Sequence, residues 1–331
     1  MKIKTRNIII FIVFLLAIIM ITAALFFAGE LFLKPKDQGN SPSASDALNS
    51  LKRVYIDGEA YLPKKTVKNY LLIGVDEFST GEGDKIAQAD FMIILSVDKS
   101  DGSYRLISVD RDTVTKVSVL DPRGQVIEKR EERIALSHSY GAQNKLTDQQ
   151  KSKNTADAVS GLLYGIKIDS YVSMTMDAVA ILVDAIGGVE VTVPYDMTGI
   201  NDAFAEGEKI LLDGSLAGDF ISARGGLESV SDERRAERQT IFLKEFMAQM
   251  GKADVDIQTL ISRYGDIKDN IVTNSGSGIL LDMSKLIREY ENFGIISIEG
   301  ERVSGESGDN FYPDVDALKA LVTEVFFDKE K

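Results

Sequence analysis

Arg235, Arg238 and Gln239 stand at i, i+3 and i+4 within the run Asp232-Glu-Arg-Arg-Ala-Glu-Arg-Gln239, and Arg224 lies a short way upstream. On a helix that spacing sends all three heads out from one face, with Asp232 at the N-terminal end. Donors converging near the positive end of a helix suit an anion with several oxygens, such as phosphate. The plainer alternative is a solvated face whose arginines pair with Glu233 and Glu237. A second group joins Asp76, in Gly74-Val-Asp76 at the end of an apolar run, to Asp90 at the start of the next. Carboxylates at strand ends in an open α/β sheet lie where ligands bind, and two hard oxygens suit Mg²⁺. Either carboxylate alone could simply cap a turn. A third group is Arg111-Asp112, after the strand-like run ending at Val109. Its plainer alternative is an exposed loop ion pair, which contributes little.

The elements that must position these groups are legible from periodicity. Tyr70-Leu-Leu-Ile-Gly-Val75 is a continuous apolar run of strand length, as expected of a strand buried on both faces. Phe91 to Val97 and Tyr104 to Val109 flank Asp98-Lys-Ser-Asp-Gly102, a turn composition, and should pair as a hairpin. Thr155 to Tyr164 and Thr175 to Ile186 carry apolar residues at helical spacing; Gly187-Gly188 ends the second, and Val189 to Val193 alternates like a strand. Ser231 or Asp232 can cap a helix running to about Met250, and Asp314 another running to Phe327. The expected fold is α/β, a mixed central β-sheet flanked by helices and preceded by one N-terminal transmembrane helix.

That first helix is the uncharged run from Ile8 to Ala28. About 21 residues at roughly 1.5 Å rise each match the ~30 Å hydrocarbon core of a bilayer. Lys2, Lys4 and Arg6 precede it, so the positive-inside rule predicts an N-in, single-pass protein of the cell membrane with its C-terminal domain extracytoplasmic. A cleaved signal peptide is the rival, but its apolar region is shorter, and Leu25-Phe-Phe27 makes a poor cleavage site. Residues 1–7 are then the cytoplasmic end, 8–28 the anchor, 29–65 an extracytoplasmic stalk rich in Pro, Gly, Ser and Asn, and 66–328 the soluble domain. The chain has no cysteine, which excludes thiol catalysis and cysteine metal sites. Its net charge of -13 argues against nucleic acid as a partner.

Taken in order, the segments resemble the LytR-CpsA-Psr family, whose pattern runs from an anchor helix through a strand ending Gly-x-Asp, Ser-Asp-Thr-Met, Pro-Arg-Asp-Thr, a Gly-Gly-Val strand, Arg-x-Arg and Asp-x-x-Arg-x-x-x-Gln. The chain offers Gly74-Val-Asp76, Ala89-Asp90-Phe-Met92, Asp110-Arg111-Asp112-Thr113, Val183-Asp-Ala-Ile-Gly-Gly-Val189, Arg224, and Asp232-Glu-Arg-Arg235-Ala-Glu-Arg238-Gln239. Order and approximate spacing hold from Asn69 to about Met250. The resemblance implies a Mg²⁺-dependent phosphotransferase that takes a glycopolymer, such as teichoic acid or capsule, from an undecaprenyl-pyrophosphate carrier. It joins that polymer through a phosphodiester to a peptidoglycan hydroxyl on the outer face of the membrane. Implied residue by residue are Asp76 and Asp90 for Mg²⁺, and Arg111, Arg224, Arg235, Arg238 and Gln239 for the pyrophosphate. Arg111, Asp232 and Arg235 are the implied catalytic set, Asp232 as an orienter of arginine or a base for the acceptor hydroxyl. The implied partners are the lipid-linked polymer, peptidoglycan and membrane lipid. An apolar channel for the lipid tail, lined from Val179 to Ile186 and Ile241 to Met250, competes with the plainer reading of those stripes as core.

Two positions depart from the pattern. Ser222 stands where the first arginine of Arg-x-Arg is usual, which weakens the phosphate clamp, and Asp110 stands where proline is usual, which alters the strand end rather than the chemistry. Ser222 lends weight to a non-catalytic module that binds lipid-linked polymer or regulates wall enzymes; a polyprenyl pyrophosphatase using the same residues is a further alternative. The single histidine, His138, reads as structural, and Asn274-Ser-Gly-Ser-Gly278 as a loop without the lysine of a phosphate loop.

Overall fold

A computed structural model describes residues 53–75, 87–140, 145–185, 187–222, 232–252, 270–275, 291–305 and 308–330. The proposed anchor at 8–28, the stalk up to residue 52, Asp76 and Arg224 lie outside the described residues. The chain opens with β1 (Val54–Ile56), β2 (Glu59–Pro63), β3 (Val67–Val75), β4 (Ala89–Asp98), β5 (Ser103–Val109), β6 (Val114–Leu120) and β7 (Val126–Arg133). Next come α1 (Asp148–Leu162), β8 (Ser170–Thr175), α2 (Met176–Ala185), β9 (Val189–Thr192), β10 (Lys209–Leu212), α3 (Gly214–Ser222) and α4 (Asp232–Lys252). It closes with β11 (Ile271–Thr273), β12 (Glu291–Ser297), β13 (Gly300–Gly305), β14 (Gly308–Pro313), α5 (Val315–Phe326) and β15 (Phe327–Lys329).

Two compact units result. Among the described residues, a sheet unit takes the chain through Ser173, then 272–274 and everything from Glu291; a helical unit takes Met174–Ile271 and Ser275. The sheet has six strands in the order β11-β8-β3-β4-β5-β12. β3, β4 and β5 are antiparallel neighbours and β12 runs parallel to β5, so the sheet is mixed and the expected hairpin is present. Its turn is held by the Asp98 Oδ1, which accepts from the Ser100 amide at 2.9 Å, and by Gly102 at φ 67°.

The apolar run of β3 is buried because both faces of the sheet are covered. Leu71, Ile73 and Val75 join Ile94 and Ile107 in one core with Val159 and Leu163 near the end of α1, and with Leu318, Val322 and Phe326 of α5. Each fully buried aliphatic side chain of this kind contributes about 1.5–3 kcal/mol over its exposed state. Register then decides what lies at each end. Val75 pairs with Ala89, and Met92 with Val109, so the exits of β3 and β5 and the start of β4 share one edge. Gly74 permits this close pairing, since a Cβ there would stand 2.9 Å from the Phe91 Cβ.

α1 begins at Asp148, seven residues before the helical periodicity becomes apolar. Thr147 and Gln150 form a capping box, and the first turns bury Lys151, Ser152, Asn154 and Thr155 instead of apolar residues. The fold also begins earlier than the stalk boundary at 65 suggests. β2 pairs with β1 and with β15, so 54–63 belong to the sheet unit, and the partner strand lies at the far end of the chain where no local signal could announce it. In the helical unit, Gly187 and Gly188 take φ of 81° and 93° and stop α2 as expected. On α4, Phe242, Leu243 and Phe246 are nearly fully buried, while on α2 Ala178 and Val183 are fully buried and Val179 and Ile181 half-buried.

His138 sits fully buried beneath α1, its Nδ1 3.4 Å from the Thr155 hydroxyl. Burial, with the positive charge of Lys151 nearby, pushes its pKa down to about 3. The imidazole is therefore neutral in the fold and protonates more readily in the unfolded chain. Stability is complete above the ordinary histidine pKa and falls as pH drops from there toward 3. Between pH 7 and 5 this one group is expected to remove roughly 2 kcal/mol. Thermal melts of the wild type and of His138→Phe at the two pH values check this: the variant should lose less stability on acidification, and equal losses would show that His138 is already solvated.

Candidate active site

At the shared edge of β3, β4 and β5, the chain leaves β5 through a tight turn in which the Thr113 amide donates to the Asp110 carbonyl at 3.1 Å. Asp110 braces the same turn by accepting from the Asp112 amide through Oδ1 at 2.8 Å. This is how the chain manages without a proline there: the aspartate side chain fixes the turn that a ring would otherwise restrict. Arg111 is 9% exposed and Asp112 only 2%, so the exposed-loop reading fails. The Arg111 guanidinium pairs with Asp90 at the start of β4, donates to the Gln88 amide oxygen, and lies 3.5 Å from Asp112. One buried arginine is thus held among three oxygen-bearing side chains, placed by the start of β4 and the turn after β5.

Asp90, Asp110 and Asp112 outnumber Arg111, and the balancing cations come from other strands. Arg302, on β13, contacts Asp110 with one nitrogen and Asp112 with the other at 3.1 Å, while its plane lies 5.9 Å from the Phe311 ring centre. Arg133, at the end of β7, approaches Asp112 at 3.8 Å. The backbone adds to the bracket, since the Phe311 amide donates to the Asp112 carbonyl at 2.9 Å. Neither arginine was singled out in the sequence. The only available signal was the charge count of the Asp110-Arg111-Asp112 turn, an acidic excess that burial could not leave unanswered.

In the helical unit, α4 carries Arg235, Arg238 and Gln239 as the spacing required. Arg235 is 5% exposed, Arg238 is fully buried and Gln239 half-buried, so this is not a solvated face. Arg238 anchors its own unit: Nε donates to the Phe220 carbonyl on α3 at 2.7 Å, and Nη1 donates to the Tyr195 hydroxyl. That hydroxyl donates in turn to the Arg234 carbonyl at 2.8 Å, and the Arg234 guanidinium lies 4.6 Å from the Tyr195 ring centre. Burial raises the Tyr195 pKa, keeping the phenol protonated to serve as donor and acceptor together. The start of α4 is therefore fixed by Arg238 and Tyr195, with Arg235 one turn away. Ser222, on the last turn of α3, spends its hydroxyl on the Gly218 carbonyl at 2.6 Å.

The structure thus brings Asp90 and Arg111 together in the sheet unit, and Arg235, Arg238 and Gln239 onto one helix in the other. Asp232 begins that helix. The Asp90 carboxylate is a hard donor of the kind Mg²⁺ takes, with its Oδ1 paired to Arg111, while Asp76, its expected companion, lies outside the described residues.

The sequence profile described as the LytR_cpsA_psr family matches residues 37–325. Among curated proteins, the chain is 27% identical over 280 residues to the polyisoprenyl-teichoic acid–peptidoglycan teichoic acid transferase TagU of Halalkalibacterium halodurans, covering 84% of this chain and 79% of that one. A Bacillus mycoides protein of the same name is 24% identical over 269 residues, covering 80% and 79%. The crystal structure of B. subtilis TagV superposes with a TM-score of 0.57 at 21% identity, covering 79% of this chain and 96% of that one. TagT bound to LIIa-WTA gives 0.56 at 19% identity, covering 79% and 90%. These two share the fold. With a family profile spanning most of its length and the ordered motifs in place, the chain belongs to the LytR-CpsA-Psr family.

Proposed function

We propose that the chain is a membrane-anchored transferase that moves a glycopolymer from a polyprenyl-pyrophosphate carrier to a peptidoglycan hydroxyl on the outer face of the cell membrane. The observation that carries this reading is the buried Arg111 guanidinium, framed by Asp90, Asp112 and Gln88 at the ligand-binding edge of the sheet. Membership of a family whose curated relatives are named teichoic acid transferases supports it.

Phosphoryl transfer asks little covalent chemistry of a protein but much positive charge, held where charge develops. The acceptor hydroxyl oxygen attacks the phosphorus that bears the polymer. The bond from that phosphorus to the bridging oxygen breaks, the carrier departs as polyprenyl monophosphate, and the hydroxyl proton passes to a carboxylate, for which Asp232 is the nominee. Arg111, Arg224, Arg235 and Gln239 hold the pyrophosphate oxygens, and Arg238 fixes the helix that carries two of them. Mg²⁺, held by Asp76 and Asp90, would neutralise charge on the departing phosphate.

Full-length protein in detergent, given a polyprenyl-pyrophosphate-linked polymer and peptidoglycan, is expected to form the phosphodiester product and release polyprenyl monophosphate. EDTA should abolish the reaction and Mg²⁺ restore it. Free polymer phosphate without the acceptor product would identify a pyrophosphatase instead. Binding without turnover would identify the non-catalytic module that Ser222 suggests.

A further inference from the structure

A cavity of about 620 Å³ opens in the sheet unit at the edge opposite Arg111, lined by the start of β3, by α1 and by the segment that joins α1 to β8. The nine residues of β3 put about 25 Å between the two edges, so the cavity is separate from the Arg111 centre. Five lysines line it, Lys64, Lys65, Lys68, Lys153 and Lys167, against two carboxylates, Asp157 and Asp169. The lining therefore carries an excess of three positive charges within a chain whose net charge is -13.

The charges are arranged rather than scattered. Asp169, with its side chain 8% exposed, contacts Lys68 at 3.1 Å and Lys167 at 3.0 Å, and accepts from the Asn69 amide at 3.0 Å. One buried carboxylate thus holds two lysines at the wall. Lys64 is tied to the Glu324 carbonyl, and Lys153 to Asp157. Lys65 is exposed.

Asn69 supplies a second and independent observation. It lines the cavity, is 4% exposed, and its Nδ2 donates to the Lys167 carbonyl at 3.0 Å, which fixes the side-chain oxygen as an acceptor. That Oδ1 is buried and has no hydrogen-bond partner among the described residues. A buried acceptor left unmatched is disfavoured, and the group that would satisfy it is a hydroxyl or amine donor.

We propose that this cavity is an anion subsite that takes a phosphate ester bearing free hydroxyls, a polyol phosphate, with the lysines on the phosphate and Asn69 Oδ1 on a hydroxyl. The cavity could hold such a group, and inorganic phosphate, which lacks the polyol arm, would leave most of it empty. The inference rests on the charge and burial of these residues and not on the transferase reading, so either can fail alone. A polyol phosphate can come from a soluble or polymeric ester, or from the headgroup of a phospholipid such as phosphatidylglycerol.

Calorimetric titration of the full-length protein in neutral detergent with glycerol phosphate tests the proposal. Saturable binding is expected, weakened roughly tenfold or more in the double variant Lys65→Gln/Lys153→Gln, because charge-assisted contacts to phosphate are the strong ones. Both lysines are exposed, so the fold should survive the change. Arg235→Ala should leave this binding intact, which keeps the subsite distinct from the transfer centre. In a parallel arm, phosphatidylglycerol vesicles are compared with neutral phosphatidylcholine vesicles. A preference for the anionic vesicles that the double variant removes, without binding of soluble ester, would support the subsite and identify a headgroup as its source. Binding of neither ligand, or binding unmoved by the double variant, overturns the subsite. Inorganic phosphate binding as tightly as glycerol phosphate overturns the hydroxyl contact at Asn69.

Discussion

Replacing Arg235 with alanine is expected to lower polymer transfer by roughly 10²- to 10³-fold, the usual cost of removing one preorganised donor to developing charge. The size of the effect follows from how the residue is held. Arg235 is 5% exposed on α4, and that helix is fixed one turn later by Arg238, which donates to the Phe220 carbonyl and the Tyr195 hydroxyl. A donor on so rigid a base needs little reorganisation as the leaving group departs. In energy the loss is about 2.7–4 kcal/mol of transition-state stabilisation. It is measured as kcat/KM on a lipid-linked donor, with the melting temperature followed in parallel to detect a folding defect. Arg235→Lys keeps the charge but loses the planar fork, so it should fall between wild type and alanine. Undiminished transfer by a folded Arg235→Ala protein would remove this residue from the pyrophosphate set.

The second large effect is expected at a residue that no motif indicated. Arg302→Met leaves Asp110 and Asp112 facing each other, with side chains 20% and 3% exposed, without the guanidinium that bridges them. Breaking a buried ion pair from one side costs about 3–5 kcal/mol, and partial exposure of Asp110 places this case at the lower end. For a chain of this size that corresponds to a fall in melting temperature on the order of 10 °C. Because Asp110 and Asp112 brace the turn that carries Arg111, transfer should fall as well. The variant Arg302→Met/Asp110→Asn separates the causes: removing the uncompensated charge should recover part of the stability. No recovery would mean that Arg302 acts through its packing on Phe311 instead.

Much of the architecture was written locally. The two-sided burial of β3 follows from an uninterrupted apolar run, the β4–β5 hairpin from a turn of Asp, Ser and Gly between two such runs, and the end of α2 from paired glycines. The cap of α5 was equally plain, and the Asp314 side chain accepts from the amides of Asp316 and Ala317. The exceptions share a cause. β7 reads Val-Ile-Glu-Lys-Arg-Glu-Glu-Arg and gives no strand signal, because both of its faces are largely solvated and, among the described residues, it pairs as a strand with β6 alone. The early turns of α1 were hidden because they bury polar side chains, which bond to β6, β8 and the turn at 134–138 in place of the apolar stripe that periodicity detects.

The sequence by itself determined which chemical groups the protein presents and in what order: Asp90 at a strand start, Arg111 after a strand end, and Arg235, Arg238 and Gln239 on one helical face. Such facts depend on spacing within a single element, where a period of two or 3.6 residues settles which side chains can act together. Only the tertiary structure decided which of these groups are committed to holding the others. It turned Arg238 toward Tyr195 and Phe220, made Asp110 a brace for the turn, and brought Arg302 to the acidic pair across 190 residues of chain. It also closed β2 against the last strand. Contacts of that kind are set by strand register and by the need to answer buried charge, and no local stretch of sequence names the distant residue that will meet either requirement.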